Sequence, residues 1–316
     1  MKHAVIVANL GAPSNLSEVR PFLKQLFADP DIFNFPFGKL GQAFFSSMIA
    51  TLRAPKSKKY YAAIGGGSPL HENTVAQALK LEKMLNEQGD FTVFTAQRYW
   101  HPFFEEIAAE VRQGNFDDII LVPMYPHYST TTTLSIVNEW KRVSGDLPEP
   151  IVIERFYAEP GYVKACANQI RATLSKFHKP PHILFSAHSI PVSRVKAGDP
   201  YEKEINANME LIMDELRRVY NYSLCYQSKV GPVEWLGPEI QDALDGLVKN
   251  KGVTNVLVFP IAFVSEHVET LYELDIQTRE YAKKIGIKQF ERADTVQDLN
   301  EFIAVLKKLI LERVAL

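Results

Sequence analysis

A four-strand pattern that occurs twice is the strongest limit on how this chain can fold. His3-Ala4-Val5-Ile6-Val7-Ala8-Asn9, followed by Pro13, matches His182-Ile183-Leu184-Phe185-Ser186-Ala187-His188, followed by Pro191. Asp118-Ile119-Ile120-Leu121-Val122-Pro123 matches Asn255-Val256-Leu257-Val258-Phe259-Pro260. Fainter echoes link Phe91–Gln97 with Ser223–Ser228 and Ile151–Arg155 with Ile287–Arg292. Strands are expected near 3–9, 91–97, 118–123, 151–156, 182–187, 223–228, 254–260 and 287–291. Helical stretches, among them Thr74–Asn86, Glu202–Arg218 and Leu299–Glu312, lie between them. Runs such as Ile119-Ile120-Leu121-Val122 are apolar on both faces, as parallel strands covered by helices on each side must be.

The expected fold class is therefore α/β, two similar lobes that each carry a four-stranded parallel sheet flanked by helices. The first lobe is expected over 1–158 and the second over 159–294, with a C-terminal helix in 295–316 packing back on the first. Ligands of such sheets sit at the strand carboxyl ends. This predicts a cleft between the lobes, ringed by Asn9, Gln97, Met124, His188, Ser228 and Ile261.

A length of 316 residues with 46% hydrophobic content is enough for two cores. The 35 basic and 37 acidic residues run in no blocks, which argues against nucleic acid as a partner. Two cysteines, Cys166 and Cys225, cannot build a disulfide framework or a four-cysteine cluster within one chain, and they fit a reducing compartment. The start of the sequence reads as a strand rather than a secretory signal, and no stretch approaches the ~18 apolar residues of a membrane span. The expected location is cytoplasmic, soluble or peripheral on a membrane.

Five segments could carry chemistry or binding. His188 follows a strand, where a histidine is either a hydrogen-bonded structural residue or a base; an apolar cavity would lower its pKa further. Glu266, His267, Glu269 and Glu273 open the helix after strand 254–260, and their spacing puts the three glutamates on one α-helical face. Those acids either complement the helix dipole in water or offer a path for a divalent cation or protons. Gly65-Gly66-Gly67-Ser68-Pro69 opens a helix with Ser68 as the expected cap and Pro69 first in the helix. No Lys-Ser/Thr follows those glycines, so a triphosphate loop is poorly supported. Ser129–Thr133 is a helix start with hydroxyl caps or, less simply, an anion cradle. Finally, Phe33–Leu52 is rich in aromatic residues and reads either as a buried helical hairpin or as an apolar lip that touches a membrane.

Seven motifs in one order resemble the ferrochelatase family over nearly the whole chain. They are Asn9-Leu10-Gly11-Ala12-Pro13, Gly65–Leu70, Gln97-Arg98-Tyr99, Pro123–Ser129, Ser186–Pro191, Tyr226–Pro232 with Trp235-Leu236-Gly237-Pro238, and Pro260–Asp275. The resemblance implies two Rossmann-like lobes of the class II chelatase type with a porphyrin cleft between them, and insertion of Fe2+ into protoporphyrin IX to form haem b without ATP. It implies His188 and Glu269 as catalytic residues, and His188, Glu269, Glu266, His267 and Glu273 as the residues that meet the metal. It also implies Leu10, Ser68, Arg98, Tyr99, Pro191, Trp235 and Phe263 around the porphyrin. Relatives with basic residues before the glycine loop have Ala62 and Ala63 as counterparts here, which leaves Arg53, Lys58 and Lys59 as candidates to meet the propionates.

Iron is implied as substrate, with no tightly bound cofactor, no iron–sulfur cluster and no obligate protein partner. Leu10 in the first motif resembles enzymes that use protoporphyrin IX rather than coproporphyrin III. The competing readings are a coproporphyrin ferrochelatase, a cobalt or nickel chelatase, a porphyrin or haem carrier, and a generic sugar- or nucleotide-binding α/β protein. Relatives specific for cobalt or nickel usually carry paired histidines where this chain has its acidic helix.

Overall fold

The computed structural model describes every residue except Asp31, Asn34, Pro36, Val230, Ala315 and Leu316. Val230, quoted in the sixth motif, and Asn34 and Pro36 of the aromatic segment thus lie outside the described residues. The chain divides into two compact units that interleave in sequence. One holds Met1–Met124, Ser129–Glu154 and Leu306–Leu316; the other holds Tyr125–Tyr128 and Arg155–Val305.

The first unit is built on the parallel sheet β2-β1-β3-β4, from β1 (Lys2–Asn9), β2 (Asp90–Gln97), β3 (Asp118–Pro123) and β4 (Ile151–Val152). The second repeats this order as β6-β5-β7-β8, from β5 (His182–His188), β6 (Tyr222–Gln227), β7 (Asn255–Pro260) and β8 (Gln289–Arg292). Two sheets of one topology follow from two copies of one hydrophobic pattern. The central strands are buried along nearly their whole length, as their uninterrupted apolar runs require. The register sets Asn9 beside Gln97 in one unit and His188 beside Gln227 in the other.

Strand β4 is shorter than the expected 151–156. After Ile153 donates to the Leu121 carbonyl, the amides of Phe156 and Tyr157 both turn to the carbonyl of Pro126, and the chain leaves the sheet edge. Likewise β8 begins at Gln289 because Lys288 and Gln289 first bond the Thr254 carbonyl.

In the first unit α1 (Val19–Ala28) packs against the long α2 (Gly38–Ala63), and α3 (Leu70–Leu85), α4 (Phe104–Gly114) and α5 (Thr133–Ser144) complete the cover. The second unit carries α6 (Pro160–Leu174), α7 (Val192–Lys196), α8 (Tyr201–Glu215), α9 (Ile240–Lys251), a π-helix (Glu269–Thr278) and α10 (Arg279–Lys284). Helix α11 (Asn300–Leu311) contributes residues to both units. On one flank of the second sheet Leu184, Val256 and Val258 pack with Leu244, Leu247, Leu274 and Phe290.

Two helix starts differ from expectation. Helix α3 begins at Leu70 with Pro69 as its cap residue, and Ser68 stands one place earlier, its hydroxyl accepting the Leu70 amide at 3.3 Å. Ser129 sits in a turn before α5, where its hydroxyl meets that of Thr131 at 2.9 Å. The glycine loop is held by contact rather than by phosphate geometry: a Cβ on Gly67 would lie 2.0 Å from the Ser14 carbonyl oxygen, so that position takes no side chain without moving backbone. Gly67→Ala is expected to lower unfolding free energy by about 1–3 kcal/mol, measured by urea denaturation, with the far-ultraviolet spectrum unchanged.

Candidate active site

Strand β5 ends at His188, whose backbone carbonyl accepts a hydrogen bond from the Tyr201 hydroxyl at 3.0 Å. The next amide, Ser189, donates to the Gln227 carbonyl, and Ser189 Oγ donates to the Leu236 carbonyl at 3.0 Å. Those bonds, with an antiparallel bridge between Pro191 and Trp235, stitch the segment after His188 to the loop after β6. The histidine is thereby fixed at the carboxyl end of an interior strand with its ring partly exposed.

Its Nδ1 lies 2.8 Å from Glu269 Oε2. Glu269 begins the π-helix. The Ser228 hydroxyl, on a residue with φ of +67°, reaches Glu269 Oε2 at 3.3 Å and also bonds Glu273 Oε2. Gln227 Nε2 donates to the Glu269 carbonyl and to Glu273 Oε2, each at 3.1 Å, while its Oε1 accepts the Ser186 hydroxyl at 2.7 Å. On the far side His267 directs Nδ1 to the Ser265 carbonyl at 3.0 Å, which leaves Nε2 3.8 Å from Glu269 Oε2. The Phe263 ring packs edge-on against His267 at 4.4 Å.

The electrostatics follow from this crowding. Burial by itself would lower the pKa of His188, but the charge and hydrogen bond of Glu269, aided by the charge of Glu273, outweigh it and the net shift is upward from 6.5. The expectation that an apolar cavity would lower this pKa is thus overturned by the partner that sequence placed elsewhere on the chain. Burial would raise Glu269, yet His188 and then His267 hold its carboxyl well below the usual range. For Glu273 burial, then the charge of Glu269, win: they push it up to about 7 against the opposing Ser228 hydroxyl and the charge of His188.

Glu266 does not join this group. Its Oε1 accepts from Arg292 and from the Thr295 amide, both at 2.9 Å, and its Oε2 accepts the Thr270 hydroxyl at 2.6 Å. The expected α-helical face of three glutamates fails for a geometric reason. Glu266 precedes the helix, so the spacing that brings Glu269 and Glu273, four apart, to one side does not extend to it. Glu269 and Glu273 therefore share Ser228 while Glu266 turns to Arg292. Among the described residues, no three His, Cys, Asp or Glu side chains converge to hold a metal ion.

The residues expected around a porphyrin divide between the two units. Pro191, Trp235 and Phe263 are partly exposed in the second unit, near the His188 segment or His267. In the first unit Leu10 is partly exposed at the end of β1 and Ser68 is buried. Arg98 and Tyr99 are drawn inward: Asp29 Oδ2 receives the Tyr99 hydroxyl at 2.5 Å and Arg98 at 3.0 Å, and Arg98 also pairs with Glu139 at 3.2 Å. Cys166 and Cys225 are buried thiols, each pushed up to about 12 by burial. His127, also in a quoted motif, is buried against Tyr157 and Asn208 and pushed down to about 3, a neutral packing residue.

Sequence reasoning passed over Gln227 and Tyr201 as site residues. The first was accessible, since the register of the repeat aligns it with His188 as Gln97 aligns with Asn9. Tyr201 left no signal, being an ordinary first-turn residue of α8.

The match to the family model described as Ferrochelatase spans residues 2–314. The chain belongs to the ferrochelatase family. A ferrochelatase of Aquifex aeolicus is 43% identical over 314 residues, covering 98% of this chain and 99% of that relative. One of Gloeobacter violaceus is 42% identical over 317 residues, covering 98% and 96%. Among solved structures, SirB from Bacillus subtilis with Fe3+ superposes with a TM-score of 0.59 over 99% of this chain and 95% of that one, at 12% identity, a likeness of fold alone.

For a ferrochelatase site built this way, the protonation of His188 reports its partner. In metal-free protein, an NMR titration should place the His188 pKa above 6.5, so the imidazolium persists to higher pH than a free imidazole. Glu269→Gln removes the opposing charge and leaves the burial, and the same titration should then fall below 6.5.

Proposed function

We propose that this protein inserts ferrous iron into protoporphyrin IX to form haem b, and that the His188–Glu269 pair is the centre of that reaction. The observation that carries the reading is the 2.8 Å contact of these two side chains in a chain matched along nearly all its length by ferrochelatases. A free-base porphyrin holds two pyrrole N–H protons where the metal must go, so the protein must accept protons and admit a cation. Bending the ring by roughly 3–5 kcal/mol of strain would supply on the order of two to three and a half decades of rate.

His188 Nδ1 is engaged by Glu269, so Nε2 is the nitrogen that meets a pyrrole N–H. A raised pKa makes the imidazole a stronger base once it is neutral. Glu273, titrating near 7 and joined to Glu269 through the Ser228 hydroxyl, is the next station for a proton on its way out. Ferrous iron, as substrate, passes the oxygens of Glu269 and Glu273 and the Nε2 of His267 in turn, hard oxygen and imidazole nitrogen donors suited to Fe2+, rather than being held by all three at once. Leu10, at the end of β1, supports protoporphyrin IX over coproporphyrin III.

Helix α2 supports a second element, peripheral contact with an anionic membrane surface. Phe37, just before it, and Leu40, Phe44, Met48 and Leu52 along it are exposed at helical spacing, and an open hollow of about 340 Å³ is lined by Phe44, Ser47, Met48, Thr51 and Leu52. The helix also carries Lys39, Arg53, Lys56, Lys58 and Lys59 and no acidic residue. Apolar side chains with interspersed cations are the composition of an interfacial helix. Among the described residues no helix is long and apolar enough to cross a membrane.

Anaerobic incubation of the protein with Fe2+ and protoporphyrin IX, without ATP, should produce the haem spectrum, and coproporphyrin III should turn over more slowly. His188→Ala should lower kcat by about 10²–10⁴ while porphyrin binding, followed by fluorescence, survives; near-normal turnover would remove His188 from the chemistry. Glu269→Gln should cost more than Glu273→Gln. Tight retention of haem with no metallation would instead mark a carrier. In co-sedimentation, the protein should bind phosphatidylglycerol vesicles more than phosphatidylcholine vesicles, and Phe44→Glu with Leu52→Glu should abolish the difference.

A further inference from the structure

Arg292 ends β8 with its side chain only 6% exposed. Its guanidinium forms a fork: Nη1 donates to Glu266 Oε1 at 2.9 Å, while Nε and Nη2 donate to Asp275 Oδ2 at 2.8 and 2.7 Å. Glu266 stands just before the π-helix and Asp275 lies inside it, so a single cation holds this element at two points. Glu269 and Glu273 lie between those points. Glu266 is further locked by the Thr295 amide and hydroxyl and by the Thr270 hydroxyl, which in turn accepts the His267 amide at 3.1 Å. The lock thus extends to the backbone beside both His267 and Glu269.

A π-helix is an uncommon form, seen mostly as single turns at functional sites, and neighbouring contacts must hold it against the ordinary α register. Re-forming an α register would change the angle between Glu269 and Glu273, and with it the sharing of the Ser228 hydroxyl that joins them here. The contacts of Arg292 fall on residues other than those that meet His188. Arg279 is no substitute, since it reaches Asp275 Oδ1 at 3.3 Å from a partly exposed position, and its other contacts are with the Asp275 and Phe290 carbonyls and with Glu291. A lysine at 292 would keep the charge but lose the planar fork that spans both acids.

We infer that Arg292 is a positioning residue for metal insertion: by bridging Glu266 and Asp275 it holds the π-helical register that places Glu269 and Glu273 against His188 and Ser228. This rests on the proposed roles of His188 and Glu269, and it adds a buried arginine that touches neither porphyrin nor iron.

The test compares Arg292→Met, Arg292→Lys, Glu266→Gln and, as an outer control, Arg279→Gln in the full-length protein. Two readouts are taken: steady-state kinetics with Fe2+ and protoporphyrin IX, and the downfield proton NMR signal of His188 Nδ1–H bonded to Glu269 in metal-free protein. Arg292→Met should lower kcat by about 10- to 100-fold, with KM for porphyrin held within about twofold and the His188 signal shifted or broadened. Arg292→Lys and Glu266→Gln should fall between that variant and the parent, and Arg279→Gln should match the parent. Should Arg292→Met fail to fold, the lysine and glutamine variants decide. Parental kcat and an unmoved His188 signal in Arg292→Lys and Glu266→Gln would overturn the inference. The NMR signal keeps the two readings apart: if His188→Ala metallates normally, the reaction assignment fails, while the Arg292 variants still report whether that arginine holds Glu269 in place.

Discussion

The contact on which the rest of the site depends is the one between the imidazole of His188 and the carboxylate of Glu269. Each group is crowded enough that burial alone would favour its neutral form, and each is shifted toward its charged form by the other. Such a pair is tolerated only where geometry is good and the remaining polar atoms are satisfied. The surroundings supply this: Ser228 for the carboxylate, Gln227 for the Glu269 carbonyl, and Tyr201 for the carbonyl of His188. Glu273 then takes the consequence. With the nearby cation already matched to Glu269, it is left raised to about 7, where a carboxyl can take up and release protons.

Two copies of one sheet do not make two copies of one site. At equivalent places in the register the first unit has Asn9 beside Gln97 and the second has His188 beside Gln227. In the second, both ends of the glutamine amide serve the acidic helix and the Ser186 hydroxyl. In the first, Gln97 meets His71 Nδ1 at 2.5 Å and packs beneath Gly11, whose φ of +86° carries the chain past it. The polar groups of the first unit that resemblance linked to the porphyrin, Arg98 and Tyr99, are bound to Asp29 inside it. The polar groups at this strand end turn to an acidic helix in one copy of the repeat and into internal packing in the other.

The buried fork of Arg292 gives the π-helix a mechanical explanation. A one-residue widening of a helix is costly unless something fixes both sides of it, and here the fixed points are Glu266 and Asp275. The same fork explains why Glu266 is not an additional ligand-facing acid. Burial would raise its pKa, but Arg292, Thr270 and Thr295 hold it ionised, and its oxygens are directed to them.

The amino-acid sequence alone determined the two sheets and the strand end that carries His188, because those follow from apolar runs, their repetition and local turn chemistry. Its motifs also brought Glu269 and Glu273 into view. Periodicity ran the helix back through Glu266, however, and so put that residue on a face it does not share. The assumption of an apolar cavity also set the pKa of His188 in the wrong direction. Both outcomes are tertiary. Whether an acid meets an imidazole from β5 or a guanidinium from β8 depends on how distant segments pack, and a pKa is set by the charges within a few ångströms rather than by neighbours along the chain.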